Sequence, residues 1–224
     1  MFNAVDFLVK GGPLMVPLIG LSIASVACVL ERSWFWFQLL TQEDQIVQDV
    51  LEAAKQDLDK AARTAHQAQH LPIGRFLLAP LKLRQPTPET FRLALETTGD
   101  KEFSQMRKGD RFLETAIGIA PLLGLLGTVT GLIYVFNNLS LGNVTGSEAG
   151  KLALGIAQAL ITTAAGMIIA IVSQAFFQIF QTFQTKQIDY FSSVGGELEL
   201  IYRQFWYEPS LRVQTRLPST KLQP

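Results

Sequence analysis

Three long stretches of the chain contain no charged residue. They cover residues 13–30, 115–138 and 152–185, which are 18, 24 and 34 residues long. A helix needs about 20 apolar residues to cross the hydrocarbon layer of a bilayer. Each stretch is therefore predicted to be a transmembrane helix, although Pro13 and Pro17 weaken the start of the first. The predicted architecture is an all-α membrane protein with three transmembrane helices.

A cleaved signal peptide is the alternative for the first stretch, because Ser25-Val26-Ala27 offers a small-residue cleavage site. Against it, only Lys10 supplies positive charge upstream, and prolines are unusual in a signal core. The aromatic cluster from Trp34 to Phe37 also suits the interfacial belt at the end of a span. We therefore favour a retained transmembrane helix.

The distribution of lysine and arginine predicts the orientation. Of the 19 basic residues, 12 lie in residues 31–113 and five in 184–224, whereas 137–150 has none. By the positive-inside rule, the insertion and the C-terminus are cytoplasmic and the N-terminus is outside, in the inner (plasma) membrane. The predicted segments are a periplasmic N-terminus 1–12, a first transmembrane helix 13–37, a cytoplasmic helical insertion 38–113, a second transmembrane helix 114–138, a periplasmic loop 139–151, a third transmembrane helix 152–183, and a cytoplasmic helix extension with a flexible tail 184–224.

The cytoplasmic insertion has helical periodicity. Apolar positions recur at helical spacing over residues 43–69, which predicts an amphipathic helix that ends at Leu71-Pro72. Thr87 is predicted to be an N-cap, with Pro88 in the first turn and Glu89 near the helix dipole.

The second and third spans are expected to extend as long helices into the cytoplasm. No proline occurs between Pro88 and Pro121, so we expect one helix over 88–136. The third span has no proline until Pro209, although Gly195-Gly196 could break it.

Composition and short motifs argue against an enzyme. The net charge is zero, which gives no indication of a nucleic-acid partner. Cys28 is the single cysteine, so it cannot form an internal disulfide. His66 and His70 have i,i+4 spacing but no carboxylate cluster nearby, so we expect no metal site. No phosphate loop or nucleophile motif is present, and we expect no cofactor.

Small residues line one face of the second span. Gly124, Gly127 and Gly131 recur at helical spacing, which lets transmembrane backbones approach closely. Pro121 removes the hydrogen bond to the carbonyl of Ile117 and is predicted to bend the helix.

The third span combines small and polar residues. Gly155, Ala159 and Gly166 are predicted to pack against a neighbouring helix. Polar side chains are costly in hydrocarbon and usually face protein or water. A lone threonine hydroxyl can instead bond to its own helix. We predict that four polar residues line a shared interior: Thr128, Gln158, Thr162 and Thr163.

No Asp, Glu, Lys, Arg or His lies in the interior of any predicted span. A proton carrier needs a group that gains and loses a proton, and intramembrane carboxylates commonly do this. Threonine and glutamine do not titrate near neutral pH. If this chain belongs to a proton-driven machine, the titrating residue must come from another chain.

The chain resembles the ExbB/TolQ family, and the ExbB type most closely. Residues 124–131 are similar to the family signature GLLGTVxG, and residues 155–166 to the segment GIAEALxATAxG. The Gly11-Gly12-Pro13 and Glu31-Arg32 sequences also match, as do the orientation and the insertion between the first two spans.

This resemblance implies a homo-oligomeric ring, a pentamer, around single-span helices of an ExbD/TolR-like partner. The partner helix carries the aspartate that accepts protons, and a TonB- or TolA-like protein passes on the resulting motion. Thr128 and Thr163 match the family's pore-lining threonines. Gln158 stands where the family has glutamate, and Val172 where its AIPA stretch has proline.

The sequence therefore predicts a channel subunit of a proton-motive-force-driven motor in the inner membrane. The alternative is a non-conducting oligomeric scaffold for envelope components, which the absence of the family glutamate favours. A MotA-type flagellar stator is the third hypothesis, but that relative has four spans and this chain shows three.

Overall fold

Helices account for nearly all of the chain that the structure describes. The structure is a computed structural model, which describes residues 13–137 and 146–209 without the side chains of 146–149 and 151. No strand occurs in these ranges, so the all-α prediction is confirmed. The helices are α1 (Met15–Gln56), α2 (Leu58–Gln67), α3 (Pro72–Leu81), α4 (Pro88–Met106), α5 (Asp110–Asn137) and α6 (Gly146–Tyr202), followed by a π-helical turn, Arg203–Tyr207.

Three helical segments are long and apolar enough to cross a membrane. They are Met15–Gln56, Pro88–Asn137 and Leu152–Tyr207. The second consists of α4 and α5, and its apolar part belongs to α5. The prediction of three spans is confirmed for the described part of the chain.

Helix α1 runs much further than the predicted first span. It continues without interruption from Met15 to Gln56, so the helix predicted over residues 43–69 is not one element but is divided between the end of α1 and α2. The reason is that residues 31–56 contain no glycine or proline to end a helix. The chain restarts at Asp57, whose side chain accepts a hydrogen bond of 2.8 Å from the Asp59 amide and so caps α2.

A turn over residues 107–109 separates α4 from α5, so the expected single helix over 88–136 is not formed. Gly109 has φ +88°, which favours glycine. A Cβ at this position would lie 3.2 Å from both Cys28 Sγ and Arg32 Cδ on α1. The turn thus depends on glycine both for its conformation and for its close approach to α1.

The chain divides into two compact units. Of the residues that the structure describes, the first comprises 13–33, 109–137 and 146–181, and the second comprises 34–108 and 182–209.

An aromatic core holds the second unit together. The ring of Phe191 on α6 lies 4.8 Å from that of Phe76 on α3 and 5.2 Å from that of Phe103 on α4. A Cβ at Gly195 would meet the Phe76 ring at 2.9 Å. The glycine pair at 195–196 therefore does not break α6; Gly195 makes room for Phe76.

The predicted start of α4 is confirmed. The Thr87 hydroxyl accepts a hydrogen bond of 3.2 Å from the Thr90 amide, Pro88 begins the helix, and Glu89 lies in its first turn. Behind this cap, the Tyr202 hydroxyl donates to the Pro86 carbonyl over 2.6 Å. The cap therefore also connects α4 to the end of α6.

Candidate functional site

The candidate site lies where α5 and α6 pack against each other in the first unit. At Gly127 the α5 surface has no side chain, and Thr162 of α6 occupies the space. A Cβ on Gly127 would lie 2.7 Å from the Thr162 Cβ, and Thr162 is only 1% exposed. The Thr162 hydroxyl donates to the Gln158 carbonyl of its own helix over 3.0 Å. In this chain Thr162 therefore lies inside the helix contact.

Thr163 connects the two helices directly. Its hydroxyl donates a hydrogen bond of 2.8 Å to the Gly124 carbonyl of α5. A Cβ on Gly124 would approach the Thr163 Cα to 3.0 Å, so only glycine permits this distance between the backbones. Thr163 is half-buried, and its oxygen keeps lone pairs with which it can accept a hydrogen bond.

The remaining small residues lie along the same contact. Gly131 faces the methyl group of Ala159, at 3.0 Å from a built Cβ. Gly155 lies against the side chain of Val135, and Gly166 lies against the carbonyl of Ala120. A larger side chain at any of these positions would clash with the opposite helix or fit only tightly. Helices α5 and α6 therefore approach closely along several turns.

Gln158 lines a cleft beside this contact. The cleft has a volume of about 450 Å³ and is lined by residues that include Thr130, Tyr134 and Gly131 on α5. Gln158 is half-buried, and the Thr130 hydroxyl donates to the Leu126 carbonyl over 2.9 Å. Thr130 was not among the residues predicted from the sequence, although its i,i+4 spacing with Tyr134 was a usable signal.

Thr128 is half-buried, and its hydroxyl donates to the Leu125 carbonyl of α5 over 2.7 Å. It does not line the cleft around Gln158. The structure thus brings Thr162 and Thr163 together at the helix contact and places Gln158 beside it. The shared polar lining stays a prediction.

Pro121 lies inside α5, which continues to Asn137. With Ile117 it borders an open groove of about 600 Å³ whose other wall is on α6, including Ala170, Gln174 and Gln178. The predicted bend at Pro121 stays a prediction.

Arg32 is a buried charged residue that sequence analysis noted only as part of a motif. It is 6% exposed, its stem packs beside Gly109, and Asp110 acts on it electrostatically. Arg32 therefore has a structural role at the turn that precedes α5.

Two residues with metal-binding side chains, His66 and His70, lie on or just after α2. Within the described ranges, no group of three or more His, Cys, Asp or Glu side chains could hold a metal ion.

Comparison with known proteins connects this helix pair to a family. The model of the MotA/TolQ/ExbB proton channel family matches residues 68–193, which is more than half of the chain and includes α5 and most of α6. The chain belongs to this family. It is a channel-type transport component and a multi-pass protein of the inner membrane.

Individual relatives agree. The biopolymer transport protein ExbB-like 1 of Synechocystis sp. is 60% identical over 92% of this chain and 81% of its own length. The biopolymer transport protein ExbB of Salmonella typhimurium is 26% identical over 88% of this chain and 81% of its own. The Tol-Pal system protein TolQ of Haemophilus influenzae is 28% identical over 56% of this chain and 53% of its own length. The chain is thus an ExbB/TolQ-type subunit of the proton channel family.

Proposed function

We propose that this chain forms the ring of a motor driven by the proton-motive force and that its α5–α6 pairs surround the single-span helix of an ExbD/TolR-like partner. A TonB- or TolA-like protein then receives the resulting motion. The observation that carries the proposal is the α5–α6 contact. Hydroxyl and glycine positions meet there, while neither uncharged stretch contains an Asp, Glu, Lys, Arg or His residue.

The side-chain chemistry determines which roles this chain and its partner take in moving a proton. A threonine hydroxyl or a glutamine amide orients water and hydrogen-bonds a carboxyl group, but neither changes its protonation state near neutral pH. The Thr163 proton is already directed at the Gly124 carbonyl. The Thr163 oxygen is therefore suited to accept a hydrogen bond from a protonated carboxyl group of the partner, and Gln158 offers both a donor and an acceptor nearby.

The first experiment tests whether the titrating carboxyl group comes from the partner chain. The chain is purified alone and together with its single-span partner, and each preparation is placed in liposomes under a pH gradient. We expect proton uptake, read by a trapped pH-sensitive dye, only when the partner is present. Rapid proton passage by the chain alone would contradict the proposal.

The second experiment tests Thr163. Replacement by valine (Thr163→Val) removes the hydroxyl at nearly constant volume, and one hydrogen bond contributes about 1 kcal/mol. We therefore expect proton flux in the reconstituted complex to fall roughly three- to tenfold without loss of assembly. Thr115→Val is the matched control, because Thr115 is an exposed threonine at the start of α5 whose hydroxyl bonds to the Arg111 carbonyl.

A non-conducting scaffold is the second candidate function. It is favoured by glutamine at position 158 and by the Thr162 and Thr163 hydroxyls, which already bond to helix carbonyls. Function in cells that is unchanged when a protonophore collapses the gradient would support the scaffold and contradict the motor.

A further inference from the structure

A buried carboxyl group lies in the second unit, beyond the proposed first span. Glu43 on α1 is 5% exposed. It falls in the helical row of buried residues formed by Trp36, Leu39, Val47 and Val50. A glutamate is seldom this buried unless its charge is paired.

Gln187 of α6 is the hydrogen-bond partner of Glu43. Its Nε2 donates to Glu43 Oε1 over 2.5 Å, and Gln187 itself is 2% exposed. Among the described residues, Glu43 Oε2 and Gln187 Oε1 have no hydrogen-bond partner. An ionised carboxylate accepts several hydrogen bonds, so a single donor leaves the charge poorly compensated.

The charged surroundings of Glu43 do not compensate it. Asp44, the next residue on α1, accepts a hydrogen bond of 2.8 Å from the Tyr190 hydroxyl of α6. Lys186, next to Gln187 on α6, and Asp189, two residues after it, are both exposed. Burial raises the pKa of Glu43 from 4.5 to about 7. The Gln187 hydrogen bond opposes this rise, and the charge of Asp44 adds to it. Burial likewise raises the pKa of Tyr190, which therefore stays neutral beside it.

We propose that Glu43 and Gln187 form a proton-binding site that controls how tightly α1 and α6 pack in the second unit. With the proton on Glu43 Oε2, the pair is neutral and the Gln187 hydrogen bond to Oε1 is kept. When the O–H bond breaks and the proton passes to water, a buried carboxylate with one donor remains. The helices then open more readily so that water can reach the charge.

The direction of the pH effect follows from the raised pKa. Below about pH 4.5, Glu43 is protonated in both the closed and the opened state, and the closed packing is fully stabilised. Between pH 4.5 and about 7 only the closed state keeps the proton, so its stability falls as pH rises. Above about pH 7 the loss is complete. This site does not depend on whether the ring conducts protons.

The first measurement is an infrared difference titration of the full-length chain in detergent between pH 5 and 9. We expect a protonated-carboxyl band that disappears with a midpoint near pH 7 and is absent in Glu43→Gln. Glu52→Gln is the matched control, because Glu52 is an exposed glutamate on the same helix, and this variant should keep the band. Loss of the band in Glu52→Gln but not in Glu43→Gln would overturn the proposal.

The second measurement is amide hydrogen exchange of peptides that contain residues 43 and 187, corrected for the intrinsic pH dependence of exchange. In the parent chain, opening should increase by about tenfold for each pH unit between pH 5 and 7. In Glu43→Gln it should not change with pH. An equal pH dependence in the parent and in Glu43→Gln would overturn the proposed coupling to helix packing.

A third variant tests the role of Gln187. Gln187→Leu removes the hydrogen bond that favours the charged form of Glu43. The infrared midpoint should therefore move to higher pH than in the parent. A midpoint that stays the same or moves lower would remove Gln187 from the site.

Discussion

At the scale of single residues, the α5–α6 contact depends on the absence of side chains at a few positions. Gly127 and Gly124 face Thr162 and Thr163, and in both cases a Cβ would come within about 3 Å of the opposite helix. Lipid gives transmembrane helices little hydrophobic reason to associate, so this close packing supplies much of the attraction. The contact is correspondingly sensitive to one added methyl group.

Gly127→Ala tests that sensitivity. Its methyl group would meet Thr162, and overpacking of a close contact costs about 1–3 kcal/mol. We expect a lower free energy of unfolding in detergent, measured by denaturant titration. Gly118→Ala is the matched control on the same helix, because nothing lies within 4 Å of its Cβ. Equal stability of the two variants would contradict the close contact.

Gln158→Glu tests the cleft. Because Gln158 is half-buried and faces a cleft of about 450 Å³ with Thr130, a carboxyl group there can reach water or polar partners. We expect the variant to fold and to keep the melting temperature of the parent. Ala159→Glu, one position further and 3% exposed, should instead fail to fold. A collapse in yield for Gln158→Glu would show that the cleft is dry.

At the scale of helices, α3 and α4 are joined by a two-point ion pair. Arg75 Nε and Nη2 donate to the two carboxylate oxygens of Glu102 over 2.8 and 2.6 Å, and Glu102 is 2% exposed. Arg75 Nη1 also donates to the carbonyls of Gln69 and His70, which precede α3. One guanidinium thus fixes α4 and the loop before α3 together.

Arg75→Leu should destabilise the protein because it leaves Glu102 buried without its partner. Breaking a buried pair costs about 3–5 kcal/mol, and the partial exposure of Arg75 reduces this to about 2–3 kcal/mol. Thermal unfolding followed by circular dichroism measures the loss. Arg92→Leu breaks an exposed pair with Glu96 and should leave the melting temperature unchanged.

The helix ends show what the sequence could predict. The α4 cap was predictable because Thr87, Pro88 and Glu89 form a local signal that needs no tertiary partner. The turn at Gly109 was missed because the absence of proline was taken to predict one helix, although a glycine is itself a local turn signal. Its close approach to Cys28 and Arg32 could not be inferred from local pattern. The continuation of α6 through Gly195 has a similar cause, since the partner that explains this glycine is Phe76.

The candidate site was predictable to a similar degree. Residue types and spacing indicated the small-residue face, but not that Thr162 points into Gly127 while Gln158 borders a cleft. The Glu43 site had a signal that was overlooked, because a glutamate in a row of apolar positions at helical spacing implies a buried charge. Its partner Gln187 is 144 residues away and could not be inferred from local pattern.

At the scale of the whole molecule, three candidate spans and the uneven distribution of basic residues predict a defined orientation. We expect the N-terminus outside and the C-terminus in the cytoplasm. A green fluorescent protein fused after residue 224 should therefore fluoresce in cells, and an alkaline phosphatase fused at the same point should be inactive. The opposite pair of results would reverse the predicted orientation.

The close packing of the Thr162 side chain against Gly127 has an evolutionary consequence. Because the methyl group of Thr162 occupies the volume that a side chain at 127 would need, the two positions cannot vary independently. Sequences related to this chain that carry alanine at 127 are expected to carry a smaller residue at 162. Such paired replacement would be visible as covariation between the two columns of a family alignment.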